Sequence, residues 1–340
     1  RPAPHQLRHD WCARTANGGP GVIGSLIRRA AHSGRHARLS ILIFHRVLSR
    51  PDPLFPYEVD AARFEDICAW TREWFDVVPL SEALSGLRMG ELRRPSLSIT
   101  FDDGYADNLT CATPILEKHG LKATFFVATG FLDGGTMWND TLIDVVRACG
   151  LDRLPLDGLH PTISSVPLDS LAQRRGAIQL LVGHAKYLPV DRRQAFVDDV
   201  ARRAEVIPPS DQMLTSDQLR SLRARGQDIG AHTVSHPILR TLTRDDARRE
   251  IEDSKRKLEG VLGEPVRLFA YPNGKPGEDY VEESVELARE AGFDAAVSTR
   301  WGVSTKLTDP FQLRRFTPWD RQRWRFGLRL WQNLLLGERD

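Results

Sequence analysis

No apolar run in this 340-residue chain reaches the roughly eighteen residues a bilayer requires, so no membrane-spanning helix is expected. Cysteine is scarce. Cys12, Cys68, Cys111 and Cys149 stand far apart with no C-x-x-C pair, which points to core thiols rather than disulfides or ligands and leaves the compartment open. Neither sign of charge dominates: 47 Lys and Arg against 45 Asp and Glu leave a net +2, so composition implies no nucleic-acid partner. The apolar core of a secretory signal is missing from Arg1 to Arg38, which favours a cytoplasmic or membrane-peripheral location. What remains, with 41% hydrophobic and 27% charged residues, is a globular chain long enough for one barrel-sized domain with an insertion.

The most informative stretch is Leu97-Ser98-Ile99-Thr100-Phe101-Asp102-Asp103-Gly104-Tyr105. Its apolar, β-favouring run predicts a buried strand, stopped where Gly104 lets the backbone turn. Adjacent strand residues point to opposite faces, so Asp102 and Asp103 can share a pocket only where the strand gives way to a loop. Two neighbouring carboxylates repel unless a cation or a shared proton relieves them. An isolated Asp-Asp-Gly also serves as an ordinary turn, with Asp102 capping the next helix. A second stretch, Asp228-Ile229-Gly230-Ala231-His232-Thr233-Val234-Ser235-His236, favours the cation: it too reads as a short strand, ending in two histidines spaced i, i+4. On one turn of helix that spacing puts both imidazoles on one face, as a transition metal requires. Asp with two His leaves positions open for water, the ligand count of a catalytic site.

Thr100-Phe101-Asp102-Asp103-Gly104-Tyr105 and His232-Thr233-Val234-Ser235-His236 resemble, in this order, the first two motifs of the NodB-type polysaccharide deacetylases, carbohydrate esterase family 4. The resemblance covers roughly residues 40–130 and 214–318. It implies a distorted (β/α) barrel of about seven strands, acting on an amino-sugar polysaccharide or glycoconjugate such as a bacterial exopolysaccharide. It also implies that Asp103, His232 and His236 bind a divalent metal, zinc first, with cobalt, nickel or iron also suited. Asp102 would be the general base and the amide of Asn273 the oxyanion donor, with Tyr105 beside them at the substrate.

The chain pattern agrees with an α/β layout. Strands are predicted at 39–44, 77–78, 97–101, 123–127, 228–231, 266–270, 295–298 and 311–316. Helices lie between them, the last strand closing the barrel. His45, Asp102, Asp103 and His232 all follow strands, and parallel folds collect reactive groups at that end. From 131 to 213 helical stretches run without strands between them, predicting an inserted helical subdomain beside the barrel mouth. Trp138 opens it, either stacking on a sugar or anchoring the insertion. Residues 1–38 form an N-terminal extension, poorly ordered to about Pro20, and 319–340 a C-terminal amphipathic helix. There Trp324, Leu328, Trp331 and Leu335 make one stripe among arginines. Such a stripe closes its own domain or, alternatively, lies on an anionic membrane surface.

Two departures from the family pattern stand out. Ala270 occupies the place of an arginine that normally braces the base, and no His follows His236, so the usual late Leu-x-His acid is missing. His45, at the end of the first strand, is the expected replacement acid, because first and last strands of a closed barrel are neighbours. Arg314 is the expected brace for Asp102, with Arg315 the alternative. Two other readings stay open: deformylation or deacylation of a lipid-linked sugar, and a carbohydrate-binding protein whose catalysis has lapsed.

Overall fold

The computed structural model describes residues 21–92, 95–317 and 320–336. Cys12 and the segment Arg1 to Pro20, expected to be poorly ordered, lie outside them. The chain enters through helix α1 (Val22–Ala31) and strand β1 (Leu39–Phe44). Helix α2 (Ala61–Trp74) starts where the Asp60 carboxylate accepts from the backbone N–H of Arg63. Strand β2 (Asp76–Val77), helix α3 (Leu80–Met89), strand β3 (Ser96–Phe101), helix α4 (Thr113–Lys118) and strand β4 (Thr124–Val127) complete the first half.

The insertion follows as helix α5 (Trp138–Ala148), strands β5 (Arg153–Pro155) and β6 (Ser165–Pro167), and helices α6 (Leu171–Ala185) and α7 (Val190–Arg203). The expectation of helices alone is corrected here, because β5 and β6 pair antiparallel. The insertion's helices and hairpin share a second hydrophobic cluster, built on Leu142, Val146, Leu154, Leu181 and Val200 and joined by Leu54 from the segment after β1. Then come helix α8 (Ser216–Ala224), capped by a Thr215/Gln218 box, strand β7 (Asp228–Ala231), helix α9 (Arg244–Leu262), strand β8 (Leu268–Ala270), helix α10 (Glu282–Glu290), strand β9 (Ala295–Val297) and helix α11 (Arg323–Leu336).

The main sheet is parallel, in the order β1-β3-β4-β7-β8-β9, with β2 beside the start of β3, and it curls into a distorted (β/α) barrel. The segment 311–316, expected as a full strand, is not one. It bridges the open edges through single pairs, Val297 to Leu313 and Leu42 to Phe316. The bonds Leu313 N–H to Ala296 O and Phe316 N–H to Ile41 O close the ring there. Both faces of β1, β3 and β4 are buried, as a parallel sheet under helices requires. Ile41, Phe126, Leu268, Ala270 and Val297 fill one cluster with α3, while Leu42, Phe44, Ile99, Phe101, Phe125 and Phe269 pack in another with the surrounding helices.

Gly230 shows how tight that packing is. A Cβ there would lie 2.5 Å from the Phe126 ring and 3.0 Å from the Leu268 carbonyl oxygen. Gly230→Ala should therefore destabilise the protein by about 1–3 kcal/mol through overpacking. A denaturant midpoint unchanged from wild type would refute this.

Helix α11 closes the domain against α1, as expected, but through a different stripe. Phe326, Leu330 and Leu334 are fully buried, whereas Trp324, Leu328 and Leu335 are 54%, 36% and 50% exposed and Trp331 is partly buried. Two apolar stripes run along this helix, and periodicity alone does not say which one the domain takes.

Candidate active site and metal centre

β3 ends at Phe101, and the backbone N–H of Asp102 still donates to Phe44 O at 2.9 Å. The chain then turns through two left-handed residues, Asp103 (φ 76°) and Gly104 (φ 88°). That turn brings both carboxylates to one side. Ala128 N–H donates to Asp103 O and Leu214 N–H to Gly104 O, so the turn is pinned between the end of β4 and the segment leaving the insertion.

β7 delivers His232 in the same way, with its backbone N–H on Val127 O. The residues that follow are not a turn of helix, contrary to the i, i+4 expectation. They form a loop in which Thr233 (φ 65°) and His236 (φ 51°) are left-handed. Glu250 of α9 holds that loop: its carboxylate accepts from the N–H groups of Val234 and Ser235, both at 2.8 Å, and from Ser235 Oγ at 2.7 Å. Asn273 is left-handed too, so four of the seven described non-glycine residues with positive φ lie in this site. A β-branched residue such as Thr233 resists that conformation, and such strain collects where a site is held in place by its surroundings.

The result is a compact donor set. One ligand atom each from Asp103, His232 and His236 lie within 4.8 Å of one another, and both Nε2 atoms are 3.5 Å from Asp103 Oδ1. Ligands about 2.1 Å from a tetrahedral ion would stand roughly 3.4 Å apart, so the spacing suits one cation. Asp103 Oδ1 is buried and has no hydrogen-bond partner, the condition of an atom awaiting a ligand. His232 Nδ1 lies 2.7 Å from the carbonyl oxygen of Ala270. A carbonyl only accepts, so Nδ1 carries the proton and Nε2 is left as the donor toward the metal position.

Asp102 is treated differently. The Arg315 guanidinium, fully buried, grips it with both nitrogens, Nη1 to Oδ1 and Nη2 to Oδ2, each at 2.7 Å, while Nε donates to Ser298 O. The brace expected of Arg314 comes instead from Arg315. Side chains alternate along the extended ring-closing segment, and 315 shares the side of Leu313, which packs inside the barrel. Arg314 takes the other side, its N–H on Ser304 Oγ.

The electrostatics follow from burial and these partners. Burial pushes the Asp102 carboxyl up, but Arg315 and His232 outweigh it and hold it below the usual range. Asp103 is likewise drawn far down against burial by His232, His236 and His45. Burial lowers His236 to about 4, so this imidazole is neutral at pH 7 and ready to ligate. Burial also opposes charge on His232, yet Asp102 and Asp103 raise it above the ordinary value.

These groups open into a cavity of about 490 Å³, lined also by His45, Tyr105, Trp138, Asn273, Arg46 and Asp140. His45 is exposed rather than turned into the core, and its carbonyl accepts from Asn108 Nδ2. Tyr105 is buried, with the Arg46 guanidinium 4.6 Å from its ring centre. Trp138 packs in the insertion's cluster, with Arg193 4.9 Å from its ring, and also lines the cavity, so anchoring and facing substrate do not exclude each other. Three groups have no counterpart among the sequence candidates or were only an alternative there: Arg315, Glu250 and Asp140. Asp140, from the first turn of α5, is pushed up to about 7, chiefly by burial, against a hydrogen bond with Tyr105. An acid in a helix's first turn ordinarily reads as a dipole partner, which is why it gave no signal.

The arrangement sets two adjacent carboxylates apart beside the same cavity: Asp103 faces two imidazoles and Asp102 a buried guanidinium. This is the equipment for hydrolysing an acyl bond. A family model described as polysaccharide deacetylase matches residues 90–154 and 190–296, half of the chain. Over 283 residues, 82% of this chain and 71% of the relative, the sequence is 23% identical to YxkH of Bacillus subtilis (strain 168), itself named as a polysaccharide deacetylase. Among solved structures, the fold is similar to the Streptococcus pyogenes deacetylase PplD in complex with acetate, with a TM-score of 0.54 and 20% identity, covering 83% of this chain and 92% of that one. It is also similar to IcaB from Ammonifex degensii, with a TM-score of 0.55 and 18% identity, covering 88% and 98% of the two chains.

Proposed function

The chain belongs to the polysaccharide deacetylase family, and from that premise we propose that it is a metal-dependent hydrolase removing N-acetyl groups from the amino sugars of a polysaccharide or glycoconjugate. The observation that carries this reading is the division of labour between Asp103, which faces two imidazoles, and Asp102, which faces Arg315. A divalent cation held by Asp103, His232 and His236 would polarise the acyl oxygen and acidify water; zinc suits one carboxylate and two imidazoles.

The chain's own residues supply the rest. Asp102, ionised at neutral pH, takes a proton from the attacking water as its oxygen bonds to the acyl carbon. The amide of Asn273, at the cavity wall, stabilises the charge on the former carbonyl oxygen. His45, exposed at the mouth, gives a proton to the sugar nitrogen as the carbon–nitrogen bond breaks, leaving acetate and a free amine. Arg315 fills the role vacated at Ala270, which supports catalysis rather than its lapse. The related deacetylase PplD was solved with acetate, the acid this reaction would release.

The test is acetate release from chito-oligosaccharides and amino-sugar polymers. Chelation should cut turnover at least about a hundredfold and added Zn or Co should restore it. Calorimetry should find one metal bound per chain, lost in Asp103→Ala. Full turnover by the chelated protein, or unchanged metal binding in that variant, would refute the assignment.

A further inference from the structure

We infer that the paired terminal helices α1 and α11 form a docking surface for an anionic phospholipid bilayer. The observation is the stripe that the domain leaves uncovered. α11 already spends one apolar face, Phe326, Leu330 and Leu334, on packing against the domain. Its second stripe, Trp324, Leu328, Trp331 and Leu335, runs at i, i+4, i+7 and i+11, so it stays on one line along the helix. Exposure of 54%, 36% and 50% at Trp324, Leu328 and Leu335 makes it a continuous wet apolar ridge rather than a scatter of single residues.

Charge indicates what covers it. α1 and α11 together carry five arginines and no acidic residue, in a chain whose net charge is only +2. Arg323 pairs with Glu73 and Arg329 with Asp320, but Arg28, Arg29 and Arg325 face solvent, and Arg325 stands over the Trp324 ring at 5.2 Å. An apolar ridge with tryptophans, on helices whose only charged residues are arginines, is what a helix lying in an anionic headgroup layer presents. A second protein or a second copy of this chain would have to meet the same concentration of positive charge.

The ridge also has a direction. Arg321, just before α11, lies with its guanidinium 6.0 Å from the ring of Tyr57, which is 84% exposed. Tyr57 is flanked in sequence by Phe55 and Glu58, which line the catalytic cavity. Docking by this face would therefore bring the cavity mouth close to the lipid surface, where membrane-attached or nascent glycans are presented.

The test uses the full chain, metal-loaded, sedimented with phosphatidylcholine vesicles alone or containing about one-third phosphatidylglycerol. Partition onto the anionic vesicles should exceed that onto neutral ones at least about tenfold and weaken in high salt. The triple variant Trp324→Ala, Leu328→Ala, Leu335→Ala should lose that binding with its melting temperature unchanged, and Arg28→Glu with Arg325→Glu should lose only the preference for anionic lipid. Equal sedimentation of wild type and triple variant would overturn the inference. So would a stable dimer by light scattering that the triple variant dissolves. Turnover is not the readout, so failure here leaves the deacetylase reading untouched, and the reverse.

Discussion

Arg315→Met should destabilise the protein by about 3–5 kcal/mol at neutral pH, because it strands the buried Asp102 carboxylate without its partner. The guanidinium is fully buried and makes two bonds of 2.7 Å to that carboxylate and one of 2.8 Å to Ser298 O. None of these can be replaced by water in so closed a place. The pH dependence gives the mechanism away. In the wild type Asp102 sits below its ordinary pKa, so the pair's contribution is present above about pH 4 and fades only as the pH falls through the lowered value. In the variant both contributions of Arg315 are gone and only the histidines still oppose burial, so Asp102 rises and the folded state takes up a proton that the unfolded chain lacks. The deficit should therefore be largest near pH 7 and shrink as the pH approaches 4. The double variant Asp102→Asn, Arg315→Met should be more stable than Arg315→Met at pH 7, since no buried charge is left unpaired. Urea unfolding at several pH values decides it: a loss under about 1 kcal/mol, or one that does not change with pH, would mean the pair is not what holds this end of the barrel.

The same pair shows where reading the sequence stops. The Asp-Asp-Gly and His-x-x-x-His stretches were legible because each ends a β-patterned run, and parallel strands present their ends together. The neighbouring choice between Arg314 and Arg315 was not, because it depends on the facing of a segment that joins the sheet through single bridges. His232 and His236 lie together, but not on the turn of helix their spacing suggests: the loop that joins them is shaped by left-handed Thr233 and by Glu250, which lies fourteen residues beyond His236 on α9. In sequence Glu250 is one of many charges on a helix with a solvated face. The hairpin of β5 and β6 was hidden by its length, three residues a strand, and by Pro155 and Pro167, since proline argues against a strand. In α11 the two apolar stripes are equally plausible from periodicity, and only the position of α1 and Trp74 selects Phe326.

Asp102→Asn should lower the turnover number about 10²–10⁴-fold while leaving metal affinity and KM close to wild type. The asymmetry follows from the geometry. Asp103 Oδ1 lies 3.5 Å from both imidazole Nε2 atoms, whereas Asp102 is committed to Arg315 and approaches only His232, at 4.0 Å. An amide at 102 keeps the shape but cannot accept a proton, so the loss belongs to the step in which water is deprotonated. Asp103→Asn should fail differently, losing the metal and the turnover together, because its oxygen belongs to the donor set. Comparing the two adjacent residues is more telling than either alone, since a general disturbance of the turn would weaken metal binding in both. Because Asp102→Asn also leaves Arg315 without its countercharge, the assay belongs well below the variant's melting temperature. Near-normal turnover in metal-loaded Asp102→Asn would remove this carboxylate as the base. Metal binding lost equally in both variants would instead make the two carboxylates joint ligands, and the separation of their roles would fail.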